Sequence, residues 1–113
     1  MPAPQVIEET DPVVLIKKHA SQKGVNQDIA LAVAKAESSL DVKAFNPEWH
    51  YNSKGEKICQ GSYGLFQVAC IHHLENPQAL FDPQLNIEIA FRLHKEEGWK
   101  PWGVCRTGKV KCS

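Results

Sequence analysis

Ile29-Ala30-Leu31-Ala32-Val33-Ala34-Lys35-Ala36-Glu37-Ser38-Ser39-Leu40 is an apolar, alanine-rich stretch with a carboxylate near its end. At helical spacing Ala30, Val33, Glu37 and Leu40 fall on one stripe, and Ile29, Val33, Ala36 and Leu40 on the stripe beside it. Glu37 therefore stands at the edge of the core face. A carboxylate against apolar neighbours loses hydration, its charged form is disfavoured and its pKa rises. Such a group stays protonated closer to neutral pH and can donate a proton. The plainer alternative is a glutamate at a helix C-terminus that bends out to water.

Helix punctuation extends outward from this segment. Asn26 is placed to cap the Glu37 helix, which should end near Leu40. Upstream, Asp11-Pro12 supplies an N-cap and a first-position proline for a helix over about 13–23, stopped by Gly24. Downstream, Asn46-Pro47 reads as a chain break. Trp49 to Gln60 reads as a hairpin around Ser53-Lys54-Gly55-Glu56. Gly61 to Gly64 reads as a flexible connection, and Leu65 to Cys70 fits either a buried strand or a short helix. Asp82-Pro83 repeats the start signal for a helix to about Glu97, with Leu85, Ile89, Ala90 and Leu93 as its apolar stripe and Gly98 as its stop. Residues 1–10 read as an irregular lead-in, and 11–113 as one domain.

The chain has 113 residues and is 42% hydrophobic, which suits a single core. Its formal net charge is zero. Bulk charge therefore offers nothing to attract nucleic acid or an anionic membrane. No apolar run approaches the ~18 residues of a membrane span, and no segment reads as a signal peptide. The tail is locally basic (Lys100, Arg106, Lys109, Lys111), which reads as a solvated end or as a preference for an anionic polymer. A monomer is expected.

Cys59, Cys70, Cys105 and Cys112 in so small a chain point to an oxidising, extracytoplasmic compartment. Three pairings are open; the local one, Cys59–Cys70 with Cys105–Cys112, is favoured. A zinc site of Cys59, Cys70, His72 and His73 is disfavoured. Its spacing matches no known zinc motif, and adjacent histidines in an extended segment point opposite ways. No metal or cofactor is expected. His72 and His73 default to surface or loop positions. Trp49, Trp99 and Trp102 read first as core residues, although flat aromatic faces also suit pyranose rings.

Four pieces occur in order: Ala-Lys-Ala-Glu37-Ser38-Ser39-Leu40, Ala44-Phe45-Asn46-Pro47, Gly61-Ser62-Tyr63-Gly64-Leu65-Phe66-Gln67-Val68, and Leu80-Phe81-Asp82-Pro83-Gln84-Leu85-Asn86-Ile87. Over about residues 11–102 this resembles the catalytic domain of soluble lytic transglycosylases and the related goose-type lysozymes. The resemblance implies a mainly helical α+β, lysozyme-like fold, with a helical lobe, a small β-hairpin and a sugar-binding cleft. Glu37 aligns with the family's catalytic acid. Ser38 follows it and would hold the carboxyl or the helix end. Gly64-Leu65-Phe66-Gln67 aligns with the family's Gly-Leu-Met-Gln element facing the acid. Gln67 would hydrogen-bond substrate, Phe66 would keep Glu37 dry, and Ser62 and Tyr63 belong to the same substrate-binding segment. One departure is plain: the family's Ala-Tyr-Asn-x-Gly segment is absent. Gly98-Trp99-Lys100-Pro101-Trp102 stands in its place and resembles the ending of compact phage-type and secretion-associated members. Trp102 or Trp99 would take over that wall, and a place in a larger secretion or phage assembly stays open.

Glycosidic cleavage usually uses two carboxyl groups, and here only the acid is evident; Asp41, Glu48, Glu56 and Asp82 are the other carboxylates near the motifs. The resemblance implies a single-glutamate route, in which peptidoglycan glycan strands are cut at the N-acetylmuramic acid to N-acetylglucosamine β-1,4 bond to give 1,6-anhydro-muropeptides. The alternatives are a goose-lysozyme-like muramidase, with Glu48 or Glu56 positioning water, and a non-catalytic glycan-binding module with the same fold. A disulfide-stapled helical interaction protein remains only if the motif match is accidental.

Overall fold

The computed structural model describes residues 11–113; the expected lead-in, 1–10, lies outside the described residues. Helix α1 spans Pro12–Lys23 and α2 spans Gln27–Ser38. Both start as their sequences dictate. The Asp11 carboxylate accepts from the Val13 amide, and the Asn26 side chain accepts from the Ile29 amide. Gly24 ends α1 in the left-handed conformation with φ 70°. Helix α2 stops at Ser38, two residues before the expected Leu40. Ser39 and Leu40 both take positive φ, 54° and 62°. Neither is glycine, so the turn after Glu37 holds backbone strain of about 1–3 kcal/mol per residue.

Strands β1 (Phe45–Tyr51), β2 (Lys57–Tyr63) and β3 (Val68–Ala69) form an antiparallel sheet in the order β1-β2-β3. The hairpin is therefore longer than its sequence signals. Asn46-Pro47 does not break the chain but sits inside β1. The register slips between Asn46 and Trp49, so the missing proline N–H falls at an irregularity of this edge strand. Gly61 to Tyr63 is likewise the buried end of β2 rather than a flexible connection. A side chain at Gly61 would strike the Phe45 and Tyr63 rings, which pack 5.1 Å apart. Residues 65–70 form neither a single strand nor a single helix. A turn over 64–67 leads into the two residues of β3, and a 3-10 helix follows over Cys70–His73. A second 3-10 helix covers Pro77–Phe81.

Helix α3 spans Pro83–Glu97, with the Asp82 carboxylate accepting from the Gln84 amide. Its buried face is Asn86, Ile87, Ile89, Ala90 and Phe91, whereas Leu85 and Leu93 of the expected stripe are only partly buried. A polar Asn86 occupies the centre of that face, which shifted the apparent stripe. A short α4, Gly103–Arg106, follows. The core gathers Leu15, Ile16, Val33, Leu65, Phe66 and Ile87, so α1, α2 and α3 enclose the 64–67 turn.

Both disulfides form locally, Cys59–Cys70 and Cys105–Cys112. The first ties β2 to the 3-10 helix after β3, and the second closes the chain's C-terminal loop. All four thiols are consumed, so none is left as a zinc ligand. Among the described residues no group of His, Cys, Asp and Glu is arranged to hold a metal ion, and no helix is long and apolar enough to cross a membrane.

Candidate active site

The turn over residues 64–67 is held from every side. Gly64 takes φ 72°, and a Cβ there would sit 2.6 Å from Asn86 Nδ2 and 2.8 Å from the Leu80 carbonyl oxygen. Only glycine allows that approach. Asn86 is fully buried and satisfies three backbone groups. Its Oδ1 accepts from the Phe66 amide (2.9 Å), and its Nδ2 donates to the carbonyls of Tyr63 (2.7 Å) and Leu80 (2.9 Å). The Ser38 hydroxyl lies 2.8 Å from the Leu65 carbonyl and 3.0 Å from that of Ala34. Trp102 Nε1 donates to the Phe66 carbonyl at 3.0 Å. Phe66 is buried between Phe91 and Trp102, at centroid distances of 5.5 and 6.3 Å. Buried backbone groups left unpaired would be costly, and here the Phe66 amide and the carbonyls of Tyr63, Leu65, Phe66 and Leu80 each have a side-chain partner.

Gln67 carries this turn into the wall of a cleft of about 510 Å³ between the helical lobe and the sheet. Glu37 enters from the last turn of α2, and Ser62, Gln67 and Trp102 line the same space. Gln67 has φ 48°, a strained position for a non-glycine residue. Its Nε2 donates to the Ala44 (3.1 Å) and Gly64 (3.0 Å) carbonyls. With the amide nitrogen so engaged, Gln67 has its carbonyl oxygen left to accept a hydrogen bond from a hydroxyl or an amide N–H.

Glu37 is partly buried, and its pKa is raised. Loss of hydration is the main cause, followed by the negative charge of Glu48; the positive charges of Lys109 and Arg106 act against both. Its position adds to the effect, because the negative end of the α2 dipole disfavours a carboxylate. A glutamate at a helix C-terminus weakens the helix, so its presence here calls for a reason other than stability.

The residues singled out in the sequence divide into two groups. Glu37, Ser62, Gln67 and Trp102 meet in the cleft. Ser38, Tyr63, Gly64 and Phe66 are buried behind its wall and build the turn. Of the other carboxylates, Glu48 lines the cleft, its Oε1 accepting from Asn46 Nδ2 at 2.9 Å. Glu56 is exposed in the hairpin turn on Asn52, and Asp41 is exposed beside Lys43. Trp49, expected in the core, is 44% exposed with the Lys57 ammonium 4.5 Å from its ring centre. Trp99 packs on Trp102 and His94, with centroids 5.2 and 4.5 Å apart.

Three further polar residues line the cleft: His50, which carried no sequence-based role, His72, expected at a surface or loop position, and Arg106, read only as part of the basic tail. His50 Nε2 lies 3.4 Å from the Ser62 hydroxyl. His72 is partly buried, and that burial lowers its pKa, with Arg92 acting in the same direction. It is thus part of the cleft wall and not a surface histidine. Asn46, Glu48 and His50 recur at every second position of β1 and all line the cleft; that alternation was the available signal, hidden by reading Asn46-Pro47 as a break. Asn86 was hidden too, because a polar residue on a helix gives no sign of which backbone groups it will satisfy.

Residues 17–104 match a family model described as "Lysozyme like domain". The match covers more than half of the chain, and the protein belongs to the lysozyme-like family. Its mainly helical α+β architecture with a small antiparallel sheet is a lysozyme-like fold. Membership supports glycoside cleavage on peptidoglycan as the general activity. No curated protein and no solved structure matches the chain.

Proposed function

We propose that this member of the lysozyme-like family is a peptidoglycan lytic transglycosylase in which Glu37 performs both proton transfers. The observation that carries the reading is a carboxyl group with a raised pKa, at the mouth of α2, in a cleft with hydrogen-bonding and aromatic walls. Protonated Glu37 donates to the glycosidic oxygen of the β-1,4 bond between N-acetylmuramic acid and N-acetylglucosamine. The carbonyl oxygen of the muramoyl N-acetyl group attacks its own anomeric carbon as that bond breaks. The Glu37 carboxylate then takes the proton of the 6-hydroxyl. The O6 atom displaces the acetamido oxygen and closes the 1,6-anhydro ring, which leaves Glu37 protonated for another cycle. Neither water nor a second carboxylate is consumed. Gln67 and Ser62 are placed to hold the sugar ring by hydrogen bonds, and Trp102 supplies an apolar wall. The two disulfides fit an extracytoplasmic setting, where this substrate lies.

Glu48 favours a second reading. It faces the same cleft and its charge is felt at Glu37, so it is the one candidate among the described carboxylates to activate water in a muramidase. Paired variants separate the two. Glu37→Gln lowers turnover of purified peptidoglycan by about 10²–10⁴-fold under either reading, and an active Glu37→Gln protein would remove Glu37 from the mechanism. Glu48→Gln costs less than about tenfold in a transglycosylase. In a muramidase it costs as much as loss of the acid.

A further inference from the structure

Residues 105–113 lie beyond the span shared with the family, yet they shape the cleft. Arg106 and Thr107 line it, and Lys109 is close enough for its charge to act at Glu37. The loop is held in place. Cys105–Cys112 closes it, Val110 N–H donates to the Val104 carbonyl at 2.9 Å, and the Thr107 hydroxyl donates to the Gly103 carbonyl at 2.9 Å. One guanidinium nitrogen of Arg106 donates to the Lys100 carbonyl at 2.7 Å, which positions the group and leaves further N–H donors for a ligand.

The glycan that Glu37 would cut gives these cations no obvious task. In peptidoglycan the repeating sugars are uncharged wherever the lactyl group carries a peptide, so the anionic groups near the scissile bond are the carboxylates of that peptide. A phosphodiester polymer on the 6-oxygen of the muramoyl sugar is the other available anion. It would block the oxygen that must close the anhydro ring, so it is a poor fit to the same reaction.

Resting on the transglycosylase reading, we infer that the disulfide-closed loop 105–112 is a substrate-specificity element whose Arg106 binds the carboxylates of the stem peptide, with Lys109 on the same loop adding its positive charge. The enzyme accordingly prefers peptide-bearing strands with free carboxylates to strands in which that charge is removed.

The test compares two substrates, peptidoglycan stripped of phosphodiester polymers and the same material with its carboxyl groups amidated. The unmodified protein should act on the charged substrate with a kcat/KM about fivefold higher, the difference lying mainly in KM. In an Arg106→Gln/Lys109→Gln protein that ratio should fall close to one, and Arg106→Lys should restore most of it. Two results overturn the inference: a ratio near one in the unmodified protein, or a double variant that slows both substrates equally, which would mean the loop acts only on Glu37 or on folding. A preference seen only with material that keeps its phosphodiester polymers overturns it as well, in favour of phosphate. Glu37→Gln, assayed alongside, reports on the underlying reading separately: if that protein keeps its activity, the transglycosylase assignment fails whatever the ratio.

Discussion

The Ser38 hydroxyl donates to the backbone carbonyl of Leu65 across 2.8 Å, joining residues 27 positions apart. The bond couples the end of α2, where Glu37 emerges, to the turn that presents Gln67. Glu37 and Gln67 are thereby fixed relative to one another by a buried contact one residue from Glu37 and two from Gln67. Ser38→Ala leaves the Leu65 carbonyl buried without this partner, at a cost of about 1–3 kcal/mol. Urea unfolding should show the loss. Turnover should fall at temperatures where the protein is still folded, because the distance between Glu37 and Gln67 is no longer constrained.

Gly64→Ala should be more damaging than its size suggests. The methyl group would meet Asn86 and a backbone carbonyl at 2.6 and 2.8 Å, at a φ that non-glycine residues adopt only under strain. A loss of about 2 kcal/mol or more is expected in thermal or urea unfolding. Asn86→Leu, similar in shape, strands the Phe66 amide and the Tyr63 and Leu80 carbonyls together. Its cost is about 3 kcal/mol or more, and a neutral result for either variant would show that the turn is not locked as described.

Much of this framework was legible in the sequence, and the reasons are local. Asp11-Pro12, Asn26 and Asp82-Pro83 start helices through side-chain capping, an interaction within two or three residues of the cap. Glu37 stood out because helical periodicity places it beside the core. What stayed hidden depends on contacts between distant segments. Asn46-Pro47 is a turn signal by itself, but the pairing of Phe45 with Tyr63 and of Asn46 with Ser62 draws it into β1. His72 and Arg106 look like solvated residues until the 3-10 helix and the C-terminal disulfide bring them to the cleft. Trp49 looked like core by composition, yet the long hairpin carries it away from the helices.

The pH profile follows from the environment of Glu37. A proton donor must be protonated, so kcat/KM should fall as pH rises through the Glu37 pKa, with the midpoint above the ordinary carboxylate range. Stability changes in the same window. Between the unfolded and the raised folded pKa, the native state binds more protons than the unfolded state, so stability declines as pH rises. Glu37→Gln lacks that decline. Relative to the parent, the variant should gain stability as pH rises from the ordinary carboxylate range through the raised folded pKa, measured as urea midpoints. The comparison isolates Glu37 from His72 and His94, whose lowered pKa values act the opposite way by weakening the fold as pH falls.

The Cys59–Cys70 bridge spans 11 residues and ends on a fully buried sulfur at Cys70. Replacing both cysteines by alanine should cost about 3 kcal/mol, seen as a lowered unfolding midpoint in the oxidised protein. A change well under that figure would mean that the sheet and the 3-10 helix hold the segment without the bridge.

The most direct test of the central claim is the chemistry of the products. Purified peptidoglycan is incubated with the protein, and the soluble muropeptides are analysed by mass spectrometry. The single-glutamate account predicts 1,6-anhydro-muramic ends, each lighter than the hydrated form by one water, formed by the unmodified protein and absent with Glu37→Gln. Hydrated reducing ends from the unmodified protein would contradict it and would assign the water-activating role to Glu48.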